Sequence, residues 1–126
     1  MKYLQTDFSS DLSELIKMTE HSFSDHCELL LSEYADLFVK RDRKLTIEVE
    51  KYGKDPFIPG YVSFISVRIK REKDNIKIAF PIWKCQRTFL GIQLSKYIPG
   101  SKVSGELITF ENAKNVLKEF IEDHLK

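Results

Sequence analysis

The hydrophobic period of this chain changes once, near Lys44, and that change points to helices set against an antiparallel sheet. Before it, Leu12, Ile16, Thr19, Phe23, Cys27, Leu30, Tyr34 and Leu37 recur at steps of three and four, and Leu15, Leu31 and Phe38 widen the stripe. Residues 11–39 therefore read as helix. Asp11 with Glu14 three positions on is expected to open it as a capping pair. Ser22, Ser24 and Asp25 are residue types that start helices, and a run of 29 residues is long for a small domain. The expectation is one kinked helix or two, parting near Ser22–Ser24.

From Lys44 the period is two. Leu45, Ile47 and Val49 alternate with Thr46, Glu48 and Glu50, the mark of a half-buried strand. Two prolines and two glycines make residues 53–60 a loop, with Phe57 and Ile58 between the prolines. These two side chains are expected either to fold back over the core or to anchor a partner. A second strand over 61–71 puts Ile65, Val67 and Ile69 on one face and Arg68 and Lys70 on the other. A polar turn at 72–75 leads to Ile76, Ile78 and Phe80, with Pro81 at the strand's end or on an edge. Residues 88–94 read as a fourth strand with Thr88, Leu90, Ile92 and Leu94 on one face. A short strand is expected near 106–108. Thr109 is expected to cap a last helix whose apolar face is Phe110, Ala113, Val116, Leu117, Phe120, Ile121 and Leu125.

The predicted fold class is α+β: an N-terminal helical segment, an antiparallel meander of three to five strands and a C-terminal helix. At 126 residues this is expected to be a single domain, residues 1–126, able to bury roughly two-thirds of its unfolded surface. No segment approaches the roughly 18 apolar residues of a membrane span, so no membrane partner is expected. The opening residues carry no apolar run of the secretory kind. The two cysteines stand 58 positions apart and form no CxxC pair, so reduced thiols and a cytoplasmic location are expected.

Net charge is +1, but the average hides a segregation. Residues 1–39 hold two basic and eight acidic side chains, residues 40–102 fifteen and six, and residues 103–126 three and five, giving −6, +9 and −2. Such asymmetry is a signal about partners. The plainest account is that acidic helices balance a basic sheet.

The stretch Glu20-His21-Ser22-Phe23-Ser24-Asp25-His26-Cys27-Glu28 gathers two of the three histidines and one cysteine. Phe23 and Cys27 belong to the apolar stripe, so Cys27 is expected in the core. His21 and His26 are five apart, which turns them about 140° from each other on a helix, whereas helical metal pairs sit four apart. Cys85 has Lys84 and Arg87 as neighbours, which would activate an exposed thiol, but no base is near it in sequence. Glu48 and Glu50 mimic a carboxylate pair, yet Arg68 and Lys70 on the next strand are natural partners for them. His124 suits a helix C-terminus on dipole grounds. There is no P-loop, GxGxxG, GxSxG or HExxH. No catalytic residue, cofactor or metal ligand is assigned.

Two functional readings remain. In the first the chain is a non-enzymatic protein-binding module. Glu20, Asp25, Glu28, Glu33 and Asp36, with Asp11 and Glu14, would form an acidic helical surface for a basic partner. A basic toxin, neutralised as bacterial immunity proteins neutralise theirs, would suit it by analogy of type. In the alternative, Arg68, Lys70, Lys77, Lys84 and Arg87 form the basic face of a nucleic-acid-binding protein within residues 40–102. Tyr61, Phe64 and Trp83 would then stack bases.

Overall fold

The computed structural model describes residues 1–108 and 110–125, leaving out the side chains of residues 110 and 112, so the expected cap at Thr109 lies outside the described residues. Residues 10–39 form one helix, α1 (Ser10–Val39), unbroken across Ser22–Ser24. The apolar stripe explains this. Leu12, Ile16, Phe23, Cys27, Leu30 and Phe38 are all buried along a single line, and a break would throw half of them out of register with the sheet. The helix starts at Ser9, whose hydroxyl accepts from the Leu12 amide at 3.2 Å, and not at Asp11. It ends where the Arg43 amide reaches the Phe38 carbonyl and Asp42 takes a left-handed φ of 58°, a place often held by glycine.

Among the described residues six antiparallel strands follow the order β1-β6-β4-β3-β2, with β5 paired to β4. They are β1 (Lys2–Leu4), β2 (Lys44–Tyr52), β3 (Val62–Lys70), β4 (Asn75–Phe89), β5 (Ile92–Leu94) and β6 (Lys102–Leu107). The meander runs from β2 to β5, and β6 then returns to the other side of β4. Two of the six are three-residue strands, which take the count above the expected five.

The third expected strand runs on to Phe89 as β4, and the fourth, expected over 88–94, is divided among the last two residues of β4, a turn and β5. A bulge between Ser63 and Phe64 of β3 places Ile82 as an extra residue on β4, so the inward set shifts from Ile76, Ile78 and Phe80 to Trp83 and Cys85. The expected face of Thr88, Leu90, Ile92 and Leu94 does not form. Leu90 and Gly91 are instead the hairpin turn, with φ of 52° and 80°.

Helix α2 (Phe110–Asp123) buries Ala113, Leu117 and Ile121, and Phe120 meets Phe80 edge-on at 6.0 Å; Val116 faces out. Both helices lie on one face of the sheet, α1 over β2 and α2 beside it, and Tyr34 on α1 donates to Glu122 at 3.0 Å. Among the described residues the other sheet face carries no helix, and no helix is long and apolar enough to cross a membrane.

Candidate functional site

At about 100° per residue, α1 sorts its acids by position. Asp11, Met18, Asp25, Leu29 and Asp36 fall within about 40° of one another, diametrically away from the buried stripe. All five are exposed, Met18 at 65% and Leu29 at 54%. Glu28 and Glu33 flank this ridge on opposite sides, and Glu14 continues it toward the N-terminus. Among the described residues no salt bridge involves Glu28 or Asp36, and Asp25 meets only the exposed His21, at 3.5 Å.

Glu20 does not share that surface. Five residues before Asp25, it is turned toward the sheet and is 3% exposed. The Tyr61 hydroxyl donates to Glu20 Oε2 at 2.6 Å, and Lys51 Nζ lies 3.6 Å from Oε1. Burial, together with this carboxylate, pushes the Tyr61 phenol well above its ordinary range. Glu20 thus ties α1 to β2 and to the start of β3. Among the described residues, Lys51–Glu20 is the one salt bridge found between α1 and the sheet. The charge segregation is therefore not consumed by pairing between helix and sheet.

The rest of the histidine-rich stretch is divided by the helix. Phe23 and Cys27 are buried, and burial with Glu28 nearby pushes the Cys27 thiol up to about 12. His26 is half-buried, and burial with Lys114 beside it holds its pKa below the ordinary value against the opposing pull of Glu33. His21 is exposed on the other flank. Among the described residues no three His, Cys, Asp or Glu side chains converge as a metal site would require. Cys85 is also buried, and burial, then Asp55, raise its thiol to about 11 despite Arg87. Lys84, expected as an activating neighbour, points to the opposite sheet face.

The helix-free face is ordered in rows by the strand register. Lys44, Lys70 and Asn75 form one row and Thr46, Arg68 and Lys77 the next. Glu48, Ser66 and Ala79 follow, then Glu50, Phe64 and Pro81. The next row is Tyr52, Val62, Lys84, Glu106 and Lys2, with Gln86, Ser104 and Leu4 beyond it. Arg68, Lys70 and Lys77 therefore cluster with Lys44 at one end. Lys84 lies three rows beyond Arg68, about 20 Å along the strands. Arg87 is on the inward side, donating to the Ser101 hydroxyl at 3.1 Å with its guanidinium 5.2 Å from the Tyr97 ring. Arg68 is held by Glu50 at 3.5 Å. Of the aromatics expected to stack bases, Trp83 and Tyr61 are buried, and only Phe64 lies on this face, stacked on Tyr52 at 5.7 Å.

The 53–60 loop splits its two apolar residues. Phe57 stacks on Phe8 at 4.6 Å and packs edge-on to Trp83, closing one end of the core. Ile58 is 58% exposed. A groove of about 500 Å³ where β4 and β6 diverge is lined by Pro81, Ile82, Lys84, Glu106 and Leu107, among others.

Met18 and Leu29 are the surface residues that sequence reading left unassigned. Their signal was present as spacing, since residues 18, 25, 29 and 36 repeat on the helix side opposite the buried stripe. Compared with known proteins, the chain matches no family model, no curated protein and no solved structure.

Proposed function

We propose that this chain is a protein-binding module that docks a basic partner on the outward ridge of α1. The observation that carries the reading is the composition of that ridge: exposed Met18 and Leu29 set among Asp11, Asp25 and Asp36. Apolar side chains supply contact area at the centre of an interface, and charges around them set specificity and association rate. Acids left out of salt bridges need not break one to engage a partner. Neutralisation of a basic toxin, in the manner of bacterial immunity proteins, is the form of this function that the charge layout fits best.

The experiment is capture of partners on the tagged protein after nuclease treatment, wild type against Asp25→Lys/Glu28→Lys/Asp36→Lys. The reading requires a basic protein retained by the wild type and lost by the triple variant. A retained protein indifferent to both the reversals and a Met18→Ser/Leu29→Ser variant refutes it.

One observation favours a second reading. Lys44 opposite Lys70 and Arg68 opposite Lys77 put like charges face to face, which is unfavourable unless an anion joins them. Nucleic acid on this face is the alternative. Retention that disappears with nuclease, and a steep salt dependence of binding to a DNA or RNA oligonucleotide, would transfer the function there.

A further inference from the structure

Strand β2 is the outer strand of the sheet along its whole length, Lys44–Tyr52, with β3 on one side and, among the described residues, no strand on the other. An open edge of nine residues is a template for another strand. What it accepts is decided by its side chains. We propose that the edge takes a second copy of this chain, antiparallel, with Ile47 facing Ile47 of the second copy across a two-fold axis.

The register follows from the sequence of β2 alone. Antiparallel strands in one sheet must pair inward residues with inward and outward with outward. With Ile47 on the axis, Leu45 meets Val49 of the second copy on the inward side. On the outward side Lys44 meets Glu50 and Thr46 meets Glu48. Every pair is apolar with apolar, or opposite in charge, or a hydroxyl beside a carboxylate. Shifting the axis to Glu48 sets Glu48 against its own copy, and an axis at Val49 sets Glu48 against Glu50 twice; both oppose like charges. An axis at Thr46 keeps the charges matched but shortens the ladder to residues 44–48. The Ile47 register is the longest with no conflict.

Lys51 supports the same boundary. It is a charged residue on the inward side of an edge strand, a device that blocks strand addition, and it is held by Glu20 at 3.6 Å. The blocked end begins immediately beyond Glu50, where the proposed ladder stops. The neighbouring flank of α1, the side turned away from α2, carries the half-buried Ser24, Leu31 and Ala35, with the exposed Lys17 and Glu28 along its outer margin. The outward ridge of α1 stays open in such a dimer, so this inference does not rest on the proposed function.

The test is sedimentation equilibrium from about 1 to about 300 µM protein, a span that brackets micromolar self-association. The decisive variant is Lys44→Glu. Within one chain it faces Lys70, so it replaces a like-charge pair with an opposite one and leaves folding intact or improved. Across the dimer it faces Glu50 twice, and the dissociation constant should rise about tenfold or more. Lys44→Glu/Glu50→Lys should recover most of that loss. Thr46→Cys/Glu48→Cys should oxidise to a covalent dimer, because the native Cys27 and Cys85 are buried. A protein that stays monomeric across the range overturns the proposal. So does a dimer whose affinity ignores Lys44→Glu.

Discussion

Gly105 on β6 faces Trp83 so closely that the structure has no space for a methyl group. A Cβ built there would overlap three atoms of the indole six-membered ring, the most distant of them only 2.8 Å away. The ring has no route of retreat. Its Nε1 donates to the Pro56 carbonyl at 2.7 Å, and Tyr3, Phe8 and Phe57 lie with ring centroids 6.1, 6.1 and 6.4 Å from it. Overpacking a core typically costs about 1–3 kcal/mol, and a pinned, fully buried ring belongs at the upper end. Alanine recovers some of this, since replacing glycine in a strand reduces the entropy of the unfolded chain by about 0.4–1 kcal/mol. The net expectation for Gly105→Ala is a loss of about 2–2.5 kcal/mol, a large share of the roughly 5–15 kcal/mol that holds an ordinary domain folded. Equilibrium urea unfolding followed by far-UV circular dichroism measures it. The same substitution made in Trp83→Phe, where the ring is smaller, should cost about 1 kcal/mol or less. A loss below about 1 kcal/mol in the wild-type background would refute the reasoning. Equal losses in the two backgrounds would show that the clash is not with Trp83.

Three further outcomes follow from the buried groups. His26 has a folded pKa below its ordinary 6.5, so the unfolded chain binds its proton more readily; stability is full above pH 6.5 and falls as pH drops through the lowered value, and His26→Gln should remove that part of the slope in urea midpoints taken between neutral and acid pH. Cys27 and Cys85 have raised folded pKa values of about 12 and about 11, so the stability they contribute is whole below their ordinary 9.0 and declines as pH rises above it. Both thiols should label slowly with a thiol reagent at neutral pH and quickly in denaturant, and fast native labelling of either would contradict its burial. Tyr61→Phe removes the hydroxyl that donates to buried Glu20 and should cost about 1.5–3 kcal/mol by urea unfolding, as for other hydrogen bonds to charged groups. An unchanged midpoint would mean that Glu20 is satisfied without it.

The period change at Lys44 carried most of the fold, because hydrophobic spacing records which face of each element is buried. It also held the answer at Ser22–Ser24. The stripe through Phe23 and Cys27 never breaks there, and exposed or half-buried serines are tolerated within a helix when the opposite face is anchored. The bulge at Ile82 was not legible, since a single inserted residue shows only as a shift of alternation, and Pro81 already suggested an ending. Nor was the turn at Leu90-Gly91. Two left-handed residues in a row usually advertise themselves as Asn-Gly, and a leucine there conceals the hairpin. Strand β1 is too short to show a period. Among the candidate site residues, helical spacing foretold the parting of His21 from His26, and the same five-residue step parts Glu20 from Asp25, although the two were expected on one acidic surface. Lys84 and Arg87, three apart, fall on opposite faces by alternation alone, but which of them lies inward is decided by the bulge at Ile82.

The opposed faces give the charge layout its physical meaning. The acidic ridge of α1 and the Lys44, Arg68, Lys70 and Lys77 cluster lie on opposite sides of a helix-on-sheet stack. Their separation includes a helix of about 10 Å diameter, more than the Debye length of about 8 Å at physiological salt. Each face therefore presents its own field to solvent and is little cancelled by the other, although the whole chain sums to +1. A molecule of this kind is nearly neutral at long range and strongly polarised at short range. A basic partner, as proposed, would be drawn to one side and turned away from the other before any contact forms, so orientation would be selected during the encounter. The dimer through β2 would keep that arrangement. A two-fold axis perpendicular to the sheet leaves both acidic ridges on one side and both basic clusters on the other, so the assembly has two faces of opposite charge, each about twice the extent of the monomer's.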